Sequence, residues 1–391
     1  MTLLILLFVL AAFLLYLVYE ALALRMLRDR IPLVIAVTGT RGKSSVARIL
    51  ASVLSEAGHK VLAKTTGSQA QFVLPDGSIQ DVPRRGVPSI IEQKKVLKKA
   101  VSIGADCLVV EIMSIRPENH YIESHRILKP STVVLTNIRR DHTDAMGESE
   151  DEIGRVLAID IPPGACPYVP EELQQKVVQH WGSPARRTIV PVSRGSADAI
   201  SSRRPELRNR EFPENLDLVT AVASDLGIDD ETIVRGMLKA IYDIGKFKVW
   251  KSRIGDKQIF LANAFAANDP ESTLKVIEKI RSMVPGGSAG ITGLLSLRAD
   301  RGDRTLQWVA ALKNGMSVHF RRIHVVGDHA HAVRRFLKNV EVLRSAGAIE
   351  MTENIAAGME DGGILLGFGN IGGVGKLLVE YWQRVGEEYG L

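Results

Sequence analysis

The sequence predicts an α/β protein with mostly parallel sheets in two domains, preceded by a transmembrane helix. Three observations support this fold class. The first nineteen residues carry no charged side chain. After them, short apolar runs alternate with segments of helical periodicity, as in parallel sheets joined by crossover helices. One apolar run leads directly into a glycine-rich loop and then a helix, which is typical of phosphate-binding domains.

Composition supports a folded protein with more than one core. The 391 residues are 46% hydrophobic, and a domain usually takes about 100 to 200 residues. This excludes disordered and fibrous proteins. The net charge of +6 favours an anionic substrate or a membrane surface, and we expect no nucleic-acid partner. Cys107 and Cys166 are too few for a disulfide scaffold and lie in no zinc-binding pattern, which indicates a reduced, intracellular body.

The amino-terminal segment is predicted to be a membrane anchor over residues 1–24. Glu20 is its only charged side chain, and about 20 helical residues at ~1.5 Å each cross ~30 Å of hydrocarbon. A cleaved signal peptide is disfavoured, because no basic residue precedes the apolar run and the segment ends in long side chains. Arg25, Arg28 and Arg30 come next, so the positive-inside bias predicts a single-pass protein of the cell membrane with a cytoplasmic body.

The first domain is expected over residues 31–245. Four apolar runs predict its strands: Leu33–Thr38, Lys60–Thr65, Asp106–Met113 and Ser131–Asn137. The intervening periodicity predicts a helix over Lys43–Ala57, and a helix pair is expected from Glu214. Local signals predict a hairpin turn and two capping boxes: Asp76-Gly77, Ser89 with Glu92, and Ser149 with Glu152.

An arginine-rich stretch between Pro184 and Pro213 shows little periodicity and is predicted to be a surface loop. Its charges are either solvated or form a path for a polyanionic product, and we favour the first interpretation.

A second, smaller α/β domain is expected over residues 246–391. A strand pair is predicted around Gly255-Asp256. Further strands are predicted at Ala289–Leu297, Arg322–Gly327 and Gly363–Phe368, separated by helices.

The loop between the first strand and the first helix of the body predicts phosphate binding. Small residues allow backbone N–H groups to surround a phosphate at a helix N-terminus, Lys43 adds a cation, and Ser44 offers a hydroxyl to Mg²⁺. Val37 stands where the usual GxxxxGK[ST] pattern has its first glycine, so the shorter TGTxGKS form fits instead. The predicted nucleotide-binding residues here are Gly39, Thr40, Arg41, Gly42, Lys43, Ser44 and Ser45.

Two further strand ends carry metal-binding chemistry. Glu111 closes the run CLVVE, and His142 lies in the segment NIRRDHTD that follows STVVLT. Ligands of open parallel sheets bind beyond the carboxyl ends of the strands. We therefore predict that Ser44, Glu111 and His142 hold Mg²⁺ near the nucleotide phosphates, although a lone surface histidine would be the simpler interpretation of His142.

The sequence contains, in this order, TGTRGKSS, the strand that ends at Glu111, and TNIRRDHTD. Together these segments resemble the Mur ligase superfamily, ATP-dependent enzymes that join an amino acid to a carboxylate through an acyl phosphate. The segments KTTGSQAQ, FAANDPEST, RADRGDRT and GFGNIGG narrow the resemblance to the ligase subunits of capsule-type poly-γ-glutamate synthases. It covers essentially the whole chain. It implies a Mur-ligase-type ATPase domain, a smaller Rossmann-like carboxyl-terminal domain, and ATP and Mg²⁺ as cofactors.

The resemblance also implies roles for further residues. Asn215 corresponds to the residue that contacts adenine in relatives, unless it is a simple N-cap. Charged and polar residues of the second domain would approach the phosphates, with Arg298, Arg301 and Arg304 as catalytic candidates beside Lys43, Glu111 and His142. The other members of this set are Asn268, Asp269, Asp300 and Asp303. A surface salt-bridge network is the alternative interpretation of the set.

Two departures from the family matter. The phosphate loop follows Arg30 by only nine residues, so we expect no uridine-nucleotide domain ahead of it. Many relatives hold a second magnesium with a carbamylated lysine about fifteen residues after the histidine. Leu157 occupies that offset, and Arg155 cannot form a carbamate.

The resemblance implies polymerisation of glutamate onto a growing poly-γ-glutamate chain, with small membrane subunits as partners in an oligomeric complex. Two alternatives stay open. The chain could be another Mur-type amino-acid ligase of the folate-polyglutamylating kind, or a membrane-tethered NTPase that drives a transport partner.

Overall fold

The computed structural model describes residues 1–67, 69–84, 86–181, 189–202, 204, 206–207, 211–241, 244–284, 290–299, 302–337, 339–344 and 347–389. The chain divides into two compact units, Met1–Tyr242 and Asp243–Leu391. Each unit is built on one mostly parallel sheet with helices between successive strands. The predicted α/β fold class is confirmed.

The first unit contains an eight-stranded sheet in the order β4-β3-β2-β5-β1-β6-β7-β8. All neighbours from β2 to β8 pair in parallel, whereas β3 and β4 form an antiparallel hairpin at one edge. The strands are β1 Leu33–Thr38, β2 Val61–Thr65, β3 Gln71–Val73, β4 Ile79–Asp81, β5 Cys107–Glu111, β6 Thr132–Leu135, β7 Cys166–Pro170 and β8 Val190–Val192. The central position of β1 brings the ends of β5 and β6 to either side of the loop that follows it.

Helices cover both faces of this sheet. The helix Lys43–Glu56 buries its predicted apolar stripe, Val46, Ile49, Leu50, Val53 and Leu54, completely. The other helical segments are Thr2–Arg28, Glu92–Ser102, Pro117–Tyr121, a π-helix Ile122–Leu128, Thr143–Met146, Glu150–Ala158, a 3₁₀ turn Glu171–Leu173, Gln174–His180, Asp198–Ser201, Pro213–Asp225 and Asp230–Lys239.

The local turn and cap predictions had mixed outcomes. The Asp76-Gly77 hairpin is confirmed, with Gly77 at φ 82°. The capping box of Ser149 and Glu152 is also confirmed. The box at Ser89 is wrong: the helix begins at Glu92 after Ile91 with no side-chain cap. The Glu92 carboxylate instead accepts hydrogen bonds from Arg84 at 2.8 and 3.1 Å, an ion pair that competes with the backbone for the carboxylate.

The arginine-rich segment is more structured than predicted. Strand β8 pairs with β7, and a short helix Asp198–Ser201 follows, because Val192 and Ile200 bury their side chains in the core. Exposed Arg194 bonds Glu172 at 2.8 Å, and Arg204 lies 3.8 Å from Glu206. Solvated ion pairs account for these two arginines. The remaining arginines of the segment lie outside the described residues: Arg186, Arg187, Arg203, Arg208 and Arg210.

The second unit contains a seven-stranded sheet in the order β13-β12-β11-β14-β10-β9-β15, parallel from β13 to β10 and antiparallel at β9 and β15. The predicted strand pair is the β9–β10 hairpin. The strands are β9 Lys248–Ile254, β10 Lys257–Ala264, β11 Ile291–Leu297, β12 Arg322–Gly327, β13 Val340–Val342, β14 Ile364–Gly369 and β15 Glu387–Tyr389. The helices are Pro270–Met283, Gly302–Lys313, a 3₁₀ turn Met316–His319, Ala330–Phe336, Ala348–Ala357 and Val374–Val385.

The apolar amino-terminal helix spans Thr2–Arg28 and is long and apolar enough to cross a membrane. It extends beyond the predicted end of the anchor at Leu24. Its last turns pack on the first unit: Leu24 is buried, Leu27 contacts the same core cluster, and Glu20 forms an ion pair with Lys94. The helix therefore continues into the folded body.

Candidate active site

The phosphate loop lies between β1 and the helix Lys43–Glu56. Gly39 and Gly42 have φ values of 121° and 82°, which L-amino acids with a Cβ rarely adopt, so the two glycines are what permits the loop to curl at the helix N-terminus. Lys43 Nζ donates a hydrogen bond to the carbonyl of Gly39 at 2.6 Å. The helix thus begins at the lysine, with its first N–H groups facing the loop.

The segment after β6 holds the phosphate loop in place. Asn137 Oδ1 accepts hydrogen bonds from Thr40 Oγ1 at 2.6 Å and from the backbone N–H of Arg41 at 3.0 Å. Asn137 Nδ2 and Thr136 Oγ1 both donate to the carbonyl of Arg41, at 2.9 and 2.6 Å. The loop conformation is therefore fixed by side chains of TNIRRDH, the segment from which a metal ligand was predicted.

Glu111 meets the phosphate loop from the other side. It is 3% exposed, lies level with Val37 in the β1–β5 pairing, and accepts hydrogen bonds from Ser44 Oγ at 2.7 Å and from the backbone N–H of Thr66 at 2.6 Å. A hydroxyl and a carboxylate oxygen in contact are hard donors of the kind that Mg²⁺ takes alongside nucleotide phosphates. The predicted pair Ser44 and Glu111 is thus brought together and fits a magnesium ion.

His142 lies next to Asp141 in the segment that follows β6. Its backbone is left-handed at φ 47°, and its ring Nε2 is 4.0 Å from Asp141 Oδ2. Asp141 in turn lies 3.4 Å from Arg41 of the phosphate loop. Within the described ranges, no group of three or more His, Cys, Asp or Glu side chains gathers as a metal site. The structure therefore brings Ser44 and Glu111 into contact, whereas the role of His142 as a third magnesium ligand stays a prediction.

Two lysines of this region, Lys43 and Lys64, lie near carboxylates and have lowered pKa values. Burial lowers the pKa of Lys43, against the raising effects of Glu111, Asp141 and Asp160. Lys64 is completely buried at the end of β2, with its Nζ 3.7 Å from Glu92 Oε2, and burial lowers its pKa too. An anionic substrate that binds here would therefore compete with protein carboxylates for the ammonium groups of Lys43 and Lys64.

A buried network lies directly beneath the phosphate loop. Asp160 accepts hydrogen bonds from Thr38 Oγ1 at 2.5 Å and Ser124 Oγ at 2.9 Å, and its carboxylate lies 2.9 Å from His120 Nδ1. Burial opposes a charge on His120, but the charge and hydrogen bond of Asp160, together with the charge of Glu123, raise its pKa. The network was missed from the sequence because forty residues separate His120 and Asp160, and neither lies in a recognisable motif.

Asn215 lies beside the phosphate loop and is not a simple N-cap. The helix Pro213–Asp225 is capped at Phe212, and Asn215 sits at its third position, 5% exposed. Its Nδ2 donates to Glu211 at 3.0 Å. A Cβ at Gly42 would come within 2.6 Å of Asn215 Oδ1, so the amide packs directly against the loop. The N-cap interpretation is therefore wrong.

In the second unit, the predicted residues lie beyond the carboxyl ends of the parallel strands. Arg298 follows β11 and places its guanidinium beside Gly372 of the glycine-rich loop after β14. Asn268 has a buried Oδ1 with no hydrogen-bond partner among the described residues, and Asp269 caps the helix Pro270–Met283. Arg304 is buried in the helix Gly302–Lys313, which also contains Asp303. Arg301 and Asp300 lie outside the described residues.

Comparison with known proteins places these features in one family. Residues 37–155 match the Mur ligase middle domain, and residues 249–385 match the poly-gamma-glutamate synthase CapB C-terminal domain. PGA synthase CapB of Bacillus subtilis (strain 168) is 32% identical over 285 residues, which cover 72% of this chain and 71% of that protein. The chain belongs to the CapB family. The predicted resemblance is confirmed.

Other relatives of this CapB-family chain agree. Capsule biosynthesis protein CapB of Bacillus anthracis is 33% identical over 284 residues, which cover 72% of this chain and 60% of that protein. Among solved structures, E. coli FolC with ADP superposes with a TM-score of 0.63 at 16% identity, over 96% of this chain and 97% of FolC. MurF of Acinetobacter baumannii gives 0.62 at 14% identity, over 91% and 78%. These structures support the fold alone.

Leu157 and Arg155 lie near the position where the resemblance to Mur ligases implies a carbamylated lysine. Leu157 is 2% exposed and packs in the core beneath the sheet. Arg155 is exposed and lies 3.7 Å from Asp151. Neither side chain can therefore take the place of a carbamylated lysine.

Proposed function

We propose that this CapB-family chain is an ATP-dependent ligase that polymerises glutamate into poly-γ-glutamate and releases ADP and phosphate. The observation that carries the proposal is the contact of Ser44 with buried Glu111 at the phosphate loop. It supplies the oxygen donors for a metal at the γ-phosphate, in a chain whose relatives include a PGA synthase. ATP and Mg²⁺ are the proposed cofactors, and glutamate and the growing polymer are the proposed substrates.

The chemistry requires an activated acid, because oxide is a poor leaving group from a carboxylate. A γ-carboxylate oxygen at the chain end attacks the γ-phosphorus, the bond to the bridging oxygen breaks, and ADP leaves. The amine of the next glutamate then attacks the acyl carbon, the C–O bond breaks, phosphate leaves, and the amine loses a proton. Exclusion of water protects the acyl phosphate.

Each proposed residue has a distinct task. Backbone N–H groups of residues 39–45 would hold the phosphates, and Lys43 would offset the charge that develops on the γ-phosphoryl group. Mg²⁺, when bound by Ser44, Glu111 and His142, would neutralise phosphate charge. Asn215 would contact adenine. Arg298, Arg301 and Arg304 are proposed to act on the phosphates from the second unit.

The proposal also assigns a role to each part of the chain. Residues 1–24 would span the cell membrane once, 31–245 would bind ATP, and 246–391 would complete the ligase. The arginines at the helix end would keep the body in the cytoplasm. Because one helix provides no route for a polymer, we propose that small membrane subunits form the exit path and that the complex is oligomeric.

Product analysis tests the activity. The full chain, purified from membranes, is incubated with ATP, Mg²⁺ and each amino acid in turn. We expect glutamate-dependent ADP release and a γ-linked polymer. Hydrolysis of ATP regardless of the amino acid would favour an NTPase, addition of glutamate only to a folate would favour the other ligase, and AMP with pyrophosphate would overturn the acyl-phosphate route.

Three variants test the site. Lys43→Ala, Glu111→Ala and His142→Ala should abolish turnover while the far-ultraviolet circular dichroism stays that of the parent. Full turnover in all three variants would refute the site assignment. Pelleting of the chain with membranes after alkaline extraction tests the anchor separately.

A further inference from the structure

The end of the apolar helix and the adjoining body border an open pocket of about 370 Å³. Its walls include Arg25, Arg28 and Lys129, with Asp29 as the one carboxylate, and its floor includes Ile31 and Val34. Both floor residues are largely buried, at 4% and 5% exposure. The pocket thus combines a cationic rim with an apolar base.

The cationic side chains of the pocket differ in the hydrogen bonds and ion pairs that they already form within the protein. Arg28 Nη1 donates to the carbonyls of Arg126 and Ile127, both at 2.9 Å, which fixes its guanidinium at the wall. Arg25 faces Asp29 at 3.7 Å with both side chains exposed, a pair of little energetic weight. Lys129 is exposed, and none of the residues that the structure describes pairs with its ammonium group. Counting all four charged groups, two positive charges remain in excess.

The pocket lies where phospholipid headgroups would be. The three steps from Arg25 to Arg28 advance ~4.5 Å along a helix at ~1.5 Å per residue. The headgroup layer of one leaflet is roughly 5 to 8 Å deep. The helix also packs on the body beside the pocket, through Leu24 and the Glu20–Lys94 ion pair. With the exposed residues 1–19 in the hydrocarbon and Glu20 at its surface, Arg25 follows Glu20 by five residues, ~7.5 Å along the helix, which brings the pocket to the outer edge of the lipid phosphates.

We propose that this pocket binds the phosphate headgroup of an anionic phospholipid, with Arg28 and Lys129 contacting the phosphate and the glycerol lying against the apolar floor. The inference depends on the proposed membrane span. A poly-γ-glutamate chain also carries negative charge and methylene groups, but the proposed span places the pocket beside the lipid headgroups, so we assign it to the lipid and include the polymer as a competing titrant.

The test uses the full chain in detergent micelles. Binding of short-chain phosphatidylglycerol is measured by microscale thermophoresis, with phosphatidylcholine, inorganic phosphate and poly-γ-glutamate as separate titrants. We expect phosphatidylglycerol to bind and the other three to bind at least tenfold more weakly. Removing two phosphate-binding charges in Arg28→Gln/Lys129→Gln should weaken phosphatidylglycerol binding by about tenfold or more.

The matched control is Lys95→Gln/Lys98→Gln, which removes two exposed charges from the neighbouring helix Glu92–Ser102. It should bind phosphatidylglycerol like the parent. Lys129→Gln alone removes no hydrogen bond among the described residues, so it still tests the pocket if the double variant does not fold. It should weaken binding by severalfold. Equal losses in the control and pocket variants, or stronger binding of the polymer or of free phosphate than of the lipid, would overturn the proposal. Loss of the chain from alkaline-extracted membranes would instead count against the span itself.

Discussion

The contact between Ser44 and Glu111 is the smallest unit on which the proposed chemistry depends. The change Glu111→Gln keeps the shape and can still accept hydrogen bonds from Ser44 and Thr66, but it removes the negative charge. We expect glutamate-dependent ADP release to fall about a hundredfold or more, because charge stabilisation at a metal-phosphate site has this magnitude. Coupled-enzyme assays measure the rate.

The exposed Glu118→Gln provides the matched control and should keep the parental rate. A Glu111→Gln variant with parental turnover would show that the carboxylate charge has no role in catalysis.

The His120–Asp160 pair makes stability depend on pH. Because the folded-state pKa of His120 is raised above its usual value of about 6.5, the stabilisation from its charge is fully present below that value and is lost as pH rises through the raised pKa. In Asp160→Asn this contribution disappears. We expect the variant to lose about 3 kcal/mol or more of unfolding free energy at pH 6, and less at pH 9. Urea unfolding at both pH values measures the difference, and a loss of equal size at each pH would contradict the pair.

At the scale of elements, close packing of two helices sets a steric limit at Gly236. A Cβ there would lie 2.9 Å from the backbone nitrogen of Val53 and 3.0 Å from its Cγ2, and Ser52 Oγ donates to the Gly236 carbonyl at 2.6 Å. We therefore expect Gly236→Ala to cost about 1 to 3 kcal/mol of unfolding free energy.

Gly302→Ala at the start of the helix Gly302–Lys313 is the control, since the nearest described atom to its Cβ, His329 Cε1 at 3.9 Å, is at ordinary contact distance. Its effect should stay within about 0.5 kcal/mol. Similar losses for both variants in chemical denaturation would contradict the steric argument.

The sequence predicted those elements whose local signals agree with their tertiary environment. Strand β1 was predicted at its observed bounds, and the helix after it within one residue, because an apolar run, glycines and a periodic stripe all indicate the same structure. Strands β13 and β15 have three residues each at sheet edges, too short to show a pattern. The Ser89 cap failed because Arg84, eight residues away from Glu92, takes its carboxylate. Such partners are set by tertiary structure alone.

In the candidate active site, too, local sequence signals could be recognised and tertiary contacts could not. The loop Gly39 to Ser45 could be recognised because its strand, its glycines and its helix follow one another in the sequence. The clamp of Asn137 on the loop and the position of Asn215 against Gly42 depend on which strands and helices are neighbours, which spacing does not reveal.

At the scale of the whole molecule, the apolar helix belongs both to the proposed membrane span and to the folded body. Removing residues 1–19 should release the chain from membranes and leave the unfolding free energy of the body nearly unchanged, because those residues are exposed. Removing residues 1–28 also takes away buried Leu24 and half-buried Leu27, and should cost about 2 kcal/mol or more. Flotation assays and denaturant titrations of the two truncations measure these effects. Equal stability of both would show that the last turns contribute nothing to the core.

In the proposed membrane arrangement, the continuity of this helix with the core fixes where synthesis takes place. Strand β1 starts five residues after Arg28 and extends over six residues, about 20 Å, before it reaches the phosphate loop. A helix that is packed against the body along its last turns cannot act as a loose tether. If the helix spans the membrane as proposed, the distance between the bilayer and the site of bond formation stays constant while a product lengthens, and the proposed channel partner would receive the chain at one defined height above the lipid.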